Sequence, residues 1–283
     1  MLLIVLKNAN DLILKKPSDN SKWGFLKKYE RILRNQVLVD EASDFSALQL
    51  SVMFQIAHPL VKSFCASGDF DQGLTLAGVA NFQELKSAIP TIKEHSLAIG
   101  YRQSAQLAEF TFNFGKQNLK LSSRFQNPDF GQISGVPPAF FQAEGDLSKQ
   151  SDWIASRILE IEALSPELPS IAILVPHSSM VKKLENELRQ IIYNIPITGY
   201  EEPGNLGRDQ EVRIFPVQYV KGLEFESAIF AGVDILKSNE PELFAKYLYV
   251  GATRAATFLA VTAHEQLPSE LAKFKNVDSW LRS

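Results

Sequence analysis

Two adjacent acids at the end of an apolar run are the first residues in this chain that could do chemistry. Residues 37–44 read VLVDEASD, so Val37, Leu38 and Val39 lead straight into Asp40 and Glu41. That is the pattern of a buried strand in a parallel sheet. Acids at its carboxyl end would stand where open α/β sheets bind ligands. One carboxylate there can hold Mg²⁺, and its neighbour can polarise a water. A second apolar run, 61–67, ends in the same way at Gly68, Asp69, Phe70, Asp71 and Gln72. The neutral amide of Gln72 can hydrogen-bond both a phosphate oxygen and a water. Arg102 in YRQS and Arg254 in VGATRA suit phosphoryl transfer, because a guanidinium is a rigid, permanent cation. In Lys221-Gly222-Leu223-Glu224, the glycine permits a tight turn near a ligand. The usual companion of such acids, a GxxxxGK[ST] phosphate loop, does not occur in these residues. The Gly115-Lys116 pair is followed by Gln117 and has no upstream glycine of the right spacing.

Composition bounds what these residues can serve. A chain of 283 residues with 45% apolar and 22% charged residues can bury a sizeable core and suggests two domains or one large one. The net charge of −3 means that any nucleic-acid contact must come from a local basic face. A single cysteine, Cys65, excludes internal disulfides and a cysteine-based metal site, and fits the reducing cytoplasm. His58, His95, His177 and His264 have no ligand spacing. The opening MLLIVL is too short to span a bilayer and lacks the features of a signal peptide, so no membrane association is expected.

The elements that must position these residues follow from periodicity. MLLIVL predicts a short strand, and KKPSDNSK a turn. A basic helix follows, with Trp23, Leu26, Ile32 and Leu33 on one face and Lys27, Lys28, Arg31 and Arg34 on another. Such a charge run is most simply a solvated face. Strands are expected over 37–39, 61–67, 96–99, 139–142, 171–175, 212–217, 228–233 and 258–262. Helices are expected after a cap at Asp44 or Ser46, over 81–93 as a helix and connector broken at Pro90, and over 104–114, 148–164, 178–191 and 241–256, with a loop over 122–138. This alternation predicts parallel sheets with helices on both faces.

Five strings, VLVDEASDFSALQL, SGDFDQ, IGYRQS, FPVQYVKGLEF and LYVGATRA, occur in this order. They resemble the second through sixth motifs of the superfamily 1 DNA helicases of the UvrD/Rep type, across roughly residues 37–263. The resemblance implies an α/β fold of RecA-like (P-loop NTPase type) sheets with flanking helices. One domain would be partial, over 37–90, preceded by the strand and basic helix of 1–36. The other, over 91–283, would be complete. The stretch from Arg102 to Lys221 is too short for the large helical insertion of UvrD and Rep. By resemblance the chain is the carboxyl-terminal portion of an ATP-dependent helicase or translocase that moves 3′ to 5′ on single-stranded DNA, with ATP and Mg²⁺ as cofactors. Asp40 would hold Mg²⁺, Glu41 would polarise the attacking water, and Gln72 would sense the γ-phosphate. Arg102 and Arg254 would reach the γ-phosphate from the second domain, across a cleft. Tyr101 would stack on adenine, Glu224 would reach the nucleotide sugar since a carboxylate accepts from its hydroxyls, and Gly222 would make the cofactor-binding turn beside it.

The chain departs from that family in three respects. It has no phosphate loop, so a P-loop-bearing portion in the same or a separate chain is an expected partner, and little ATP turnover is expected without it. Pro216 and Gln218 stand where the family usually has Thr and His. Leu74, Thr75 and Leu76 replace the aromatic residues that often follow the GDxDQ string, which weakens base stacking there. These changes leave a second reading open, a non-catalytic, degenerate motor that acts as a DNA- or protein-binding module. The set Asp40, Glu41, Gln72, Arg102 and Arg254 favours the motor.

Overall fold

The structure is a computed structural model and describes residues 1–15, 24–74, 77–96, 102–119, 135–202, 210–274, 277 and 279–281. The chain divides into two compact units, Met1–Ser96 and Leu97–Ser283. No helix among the described residues is long and apolar enough to cross a membrane.

In the first unit, helices α1 (Leu2–Lys15) and α2 (Gly24–Glu30) precede strand β1 (Gln36–Val39); helix α3 (Ala47–Ile56), strand β2 (Ser63–Ala66) and helix α4 (Phe82–Ala88) follow. The opening apolar run is thus helical, not the expected strand. Leu6, Ala9, Asn10 and Ile13 recur at helical spacing and are its buried residues, so tertiary burial decides the conformation. Asn10 fixes the packing: its amide donates to the backbone oxygen (2.9 Å) and the side chain (3.0 Å) of Gln55, and its oxygen accepts from the Tyr29 hydroxyl (2.9 Å). Leu26 and Leu33 join this cluster, but Ile32, expected on the same face, is exposed. Trp23 lies outside the described residues. Ser46 starts α3 through a capping box with Gln49.

Strands β1 and β2 pair in parallel, from Gln36 with Ser63 to Val39 with Ala66. Val37 and Val39 pack toward a core that includes Leu50, Leu85 and Ile89. Leu38 alternates to the opposite face and is 68% exposed, so β1 is covered on one face and not buried on both as its sequence suggested.

The second unit holds α5 (Ala105–Asn118), β3 (Ala139–Gln142), α6 (Leu147–Leu164), β4 (Ile171–Val175), α7 (Val181–Ile191) and β5 (Ile197–Gly199). It continues with β6 (Val212–Pro216), β7 (Phe225–Ala231), α8 (Val233–Asn239), α9 (Phe244–Thr253) and β8 (Ala255–Ala263). Six strands form one sheet in the order β3-β8-β7-β4-β6-β5, and every pairing is parallel. The expected α/β class with parallel sheets and flanking helices is therefore what the chain adopts. The expected strand over 96–99 falls, from Leu97 onward, outside the described residues. Gly232, at φ +83, ends β7 and opens α8, a helix not expected from the sequence, which takes Val233 from the expected strand; the helix expected over 241–256 is α9. Strand β5 has only three residues, too few for a period to register in the sequence.

Central β4 is buried throughout and splits its side chains between two faces. Ile171, Ile173 and Val175 point into a core with Ile154, Ile158, Leu184 and Leu188 of α6 and α7. On the other face, α9 comes so close that a Cβ on Gly251 would stand 2.4 Å from the Phe230 ring and 2.8 Å from a Leu174 methyl. We expect Gly251→Ala to destabilise the protein by about 1–3 kcal/mol, because overpacking must displace both side chains. A denaturant midpoint equal to that of the parent chain would show that α9 can move away at little cost.

Candidate active site

The first unit places its acids on one edge. Because β1 and β2 run in parallel with Val39 opposite Ala66, the Asp40-Glu41 loop and the 67–72 loop leave the same end of the sheet. The Ser67 hydroxyl donates to Asp40 Oδ1 (2.8 Å), and the Glu41 amide donates to the same oxygen (2.9 Å). The backbone repeats the link: Ala42 N donates to Ser67 O (2.8 Å), and Ser67 N to Val39 O (2.8 Å). Glu41 is held at φ 50, ψ 43, a left-handed conformation that costs a non-glycine residue on the order of 1–3 kcal/mol. The 67–72 loop comes close to the start of the 3₁₀ turn after Glu41 at Gly68, where a Cβ would lie 3.0 Å from Ala42 N and 3.1 Å from Ser43 N. Phe70–Gln72 form one 3₁₀ turn, started by Asp69, whose carboxylate accepts from Asp71 N (2.9 Å). Gln72 sits at the end of that turn. Ser67 was not singled out from sequence; its position just after a strand that pairs with β1 is the available signal.

The second unit gathers Arg102, Glu224 and Arg254 at the opposite kind of edge, the amino ends of strands. Phe225 opens β7 and is paired with Ala255, which opens β8. Glu224 and Arg254 each stand one residue before. Phe225 N donates to Arg254 O (3.0 Å), which locks the two starts together. Helix α9 ends at Thr253 and β8 begins at Ala255, so Arg254 is the whole connection. As a cation at a helix carboxyl end, it is also favoured by the helix dipole. Arg254 is 6% exposed. Arg102 forms an ion pair with Glu224, the two side chains being 43% and 59% exposed. Gly222 takes φ +77, as its turn requires. Tyr101 lies outside the described residues. Gln218 is turned inward and donates to Pro176 O (3.3 Å).

Gln103 was also missed, although it directly follows Arg102. Its amide nitrogen donates to Ala252 O and Ala255 O, both at 2.9 Å, and its oxygen accepts from the Thr111 hydroxyl at 2.9 Å. Ser104 N adds a bond to Ala256 O (2.7 Å). The YRQS and VGATRA strings are joined by these bonds.

Residues 211–262, from the start of β6 to β8, match the family of the UvrD-like helicase C-terminal domain. Among solved structures, the chain is similar to the C-terminal domain of a possible DNA helicase from Lactobacillus plantarum WCFS1. The identity is 20% and the TM-score 0.46, over 62% of this chain and 94% of that one. No curated protein matches the chain.

Because both partners of the Arg102 and Glu224 pair are substantially exposed, solvent screens it. Glu224→Gln should change stability by less than about 1 kcal/mol. A larger loss in a denaturant titration would mean that the pair holds the fold together and is not exchangeable.

Proposed function

We propose that the chain is part of an ATP-dependent DNA helicase or translocase of superfamily 1. The reading rests chiefly on one observation: Arg102, Glu224 and Arg254 meet at one strand edge, and the last two lie inside the segment that matches the helicase family. Arg102 and Arg254 would serve the γ-phosphate, where fixed guanidinium groups stabilise charge spread over the equatorial oxygens. The exposed Glu224 would yield Arg102 to a phosphate at small cost, because a screened pair is worth little. Freed of Arg102, its carboxylate can accept from the nucleotide sugar.

In the first unit, Asp40 suits Mg²⁺. That ion keeps most of its waters and is usually held by one or two carboxylates plus substrate phosphates. Among the described residues no group of three or more His, Cys, Asp or Glu could hold a metal, and Mg²⁺ does not need one. Bound there, it would neutralise charge on the phosphates. Ser67 and the Glu41 amide would keep the Asp40 carboxylate in place. Glu41 would orient and deprotonate the attacking water, and Gln72 would report the γ-phosphate to it. The phosphate cradle would come from a P-loop-bearing portion in the same or a separate chain. The track would be single-stranded DNA, followed 3′ to 5′.

The isolated 283-residue chain should release phosphate from ATP no faster than background, with or without single-stranded DNA. Joined to a P-loop-bearing portion of a UvrD-like motor, it should gain DNA-stimulated turnover. Arg254→Ala should then lower that turnover by roughly 10³, and Glu41→Gln should abolish it. Undiminished turnover in the arginine variant would sink the reading.

A further inference from the structure

We propose that Gln103 is a positioning residue that holds Arg102 and Arg254 as one unit. The proposal rests on the reading of those arginines as phosphate-contacting groups, and it deepens that reading by naming what sets their spacing. Arg102 and Arg254 are far apart in sequence, so nothing local relates them. Gln103 supplies the relation with a single carboxamide. Its two N–H groups go to Ala252 O and Ala255 O, the carbonyls on either side of Thr253 and Arg254. Ala252 belongs to the last turn of α9, where its carbonyl also accepts from the Arg254 backbone N–H. Gln103 thus acts as a carboxyl-terminal cap delivered from another segment, and it closes over the residue that carries the guanidinium.

The carboxamide is itself fixed. Its oxygen accepts from Thr111 on the second turn of α5, which leaves the amine edge directed at the two carbonyls. Ser104 N bonds to Ala256 O, so the segment after Arg102 runs along the first residues of β8. Four hydrogen bonds therefore separate Arg102 from independent motion relative to Arg254. Glutamate would present a carboxylate to two carbonyls, and leucine would leave both carbonyls without the bonds they now accept.

The test uses the isotopically labelled 283-residue chain and its Gln103→Leu variant. Amide exchange is followed at Ser104 and Phe225, whose acceptors Ala256 O and Arg254 O lie on the clamped turn, and at Ile173 in β4 as a reference. The variant should exchange about tenfold faster at the two clamped sites and unchanged at Ile173. Thr111→Val, which removes the bond that orients the carboxamide together with the hydroxyl's contact to Ala108 O within α5, should move the same two sites less. It also serves if the leucine variant does not fold. Unchanged exchange at Ser104 and Phe225, or an equal rise at Ile173, would overturn the proposal.

A second measurement titrates tripolyphosphate and follows the arginine side-chain Nε resonances. In the parent chain both arginines should shift with one common affinity, and in the variant their affinities should separate. Common affinities retained in the variant would also overturn the proposal. Parent arginines that ignore tripolyphosphate would instead remove the nucleotide reading, and the exchange result would still decide what Gln103 does.

Discussion

The arrangement of the second unit depends on a space that no side chain can occupy. At Gly251, helix α9 touches the sheet through backbone, with the Phe230 ring and Leu174 filling the place of a Cβ. A larger residue would have to displace those side chains or the helix. Arg254 stands at the end of that helix, three residues on. Glu224 then follows from strand pairing, because Phe225 opens β7 opposite the first residue of β8. Arg102 follows from Gln103 and from its ion pair with Glu224. A packing limit in the core is thereby translated into the placement of charge at the sheet edge.

The two units place their chemistry on different kinds of edge. In the first, the acids follow the carboxyl ends of two parallel strands, and a serine hydroxyl and a backbone amide share one carboxylate oxygen. In the second, the arginines precede the amino ends of strands, and one of them is paired with a carboxylate at the surface. The difference is chemically sensible. Under the proposed function, a carboxylate that holds Mg²⁺ would gain from being pinned in one orientation. An arginine that exchanges a protein carboxylate for a ligand phosphate would gain from a weak, screened partner. The family match covers β6 through β8 of the second unit.

Much of this was legible in the sequence where pattern and burial agree. Strand β4 was readable to the residue, because five consecutive apolar residues are all buried. The start of α3 was readable because Ser46 and Gln49 form a capping box. The failures have physical causes. Residues 2–6 look like a strand when counted for apolarity, yet the stripe from Leu6 to Ile13 has the helical period, and Asn10 satisfies its polar atoms against Tyr29 and Gln55. Leu38 reads as buried because its neighbours are apolar, but alternation sends it to the uncovered face. Arg102, Glu224 and Arg254 were each visible as types, while their meeting point was not. Their proximity is created by parallel register and by the Gln103 amide, and neither leaves a periodic trace.

The connection between α9 and β8 has no slack. A helix turns about 100° and rises about 1.5 Å for each residue it gains. One residue inserted after Thr253 would have to be absorbed either by rotating the arginine about the helix axis or by sliding β8 against β7. A slide by one residue would turn every side chain of β8 to the opposite face of the sheet. The arginine and the central core therefore share one register, and this junction should be closed to insertions that an ordinary surface loop would accept.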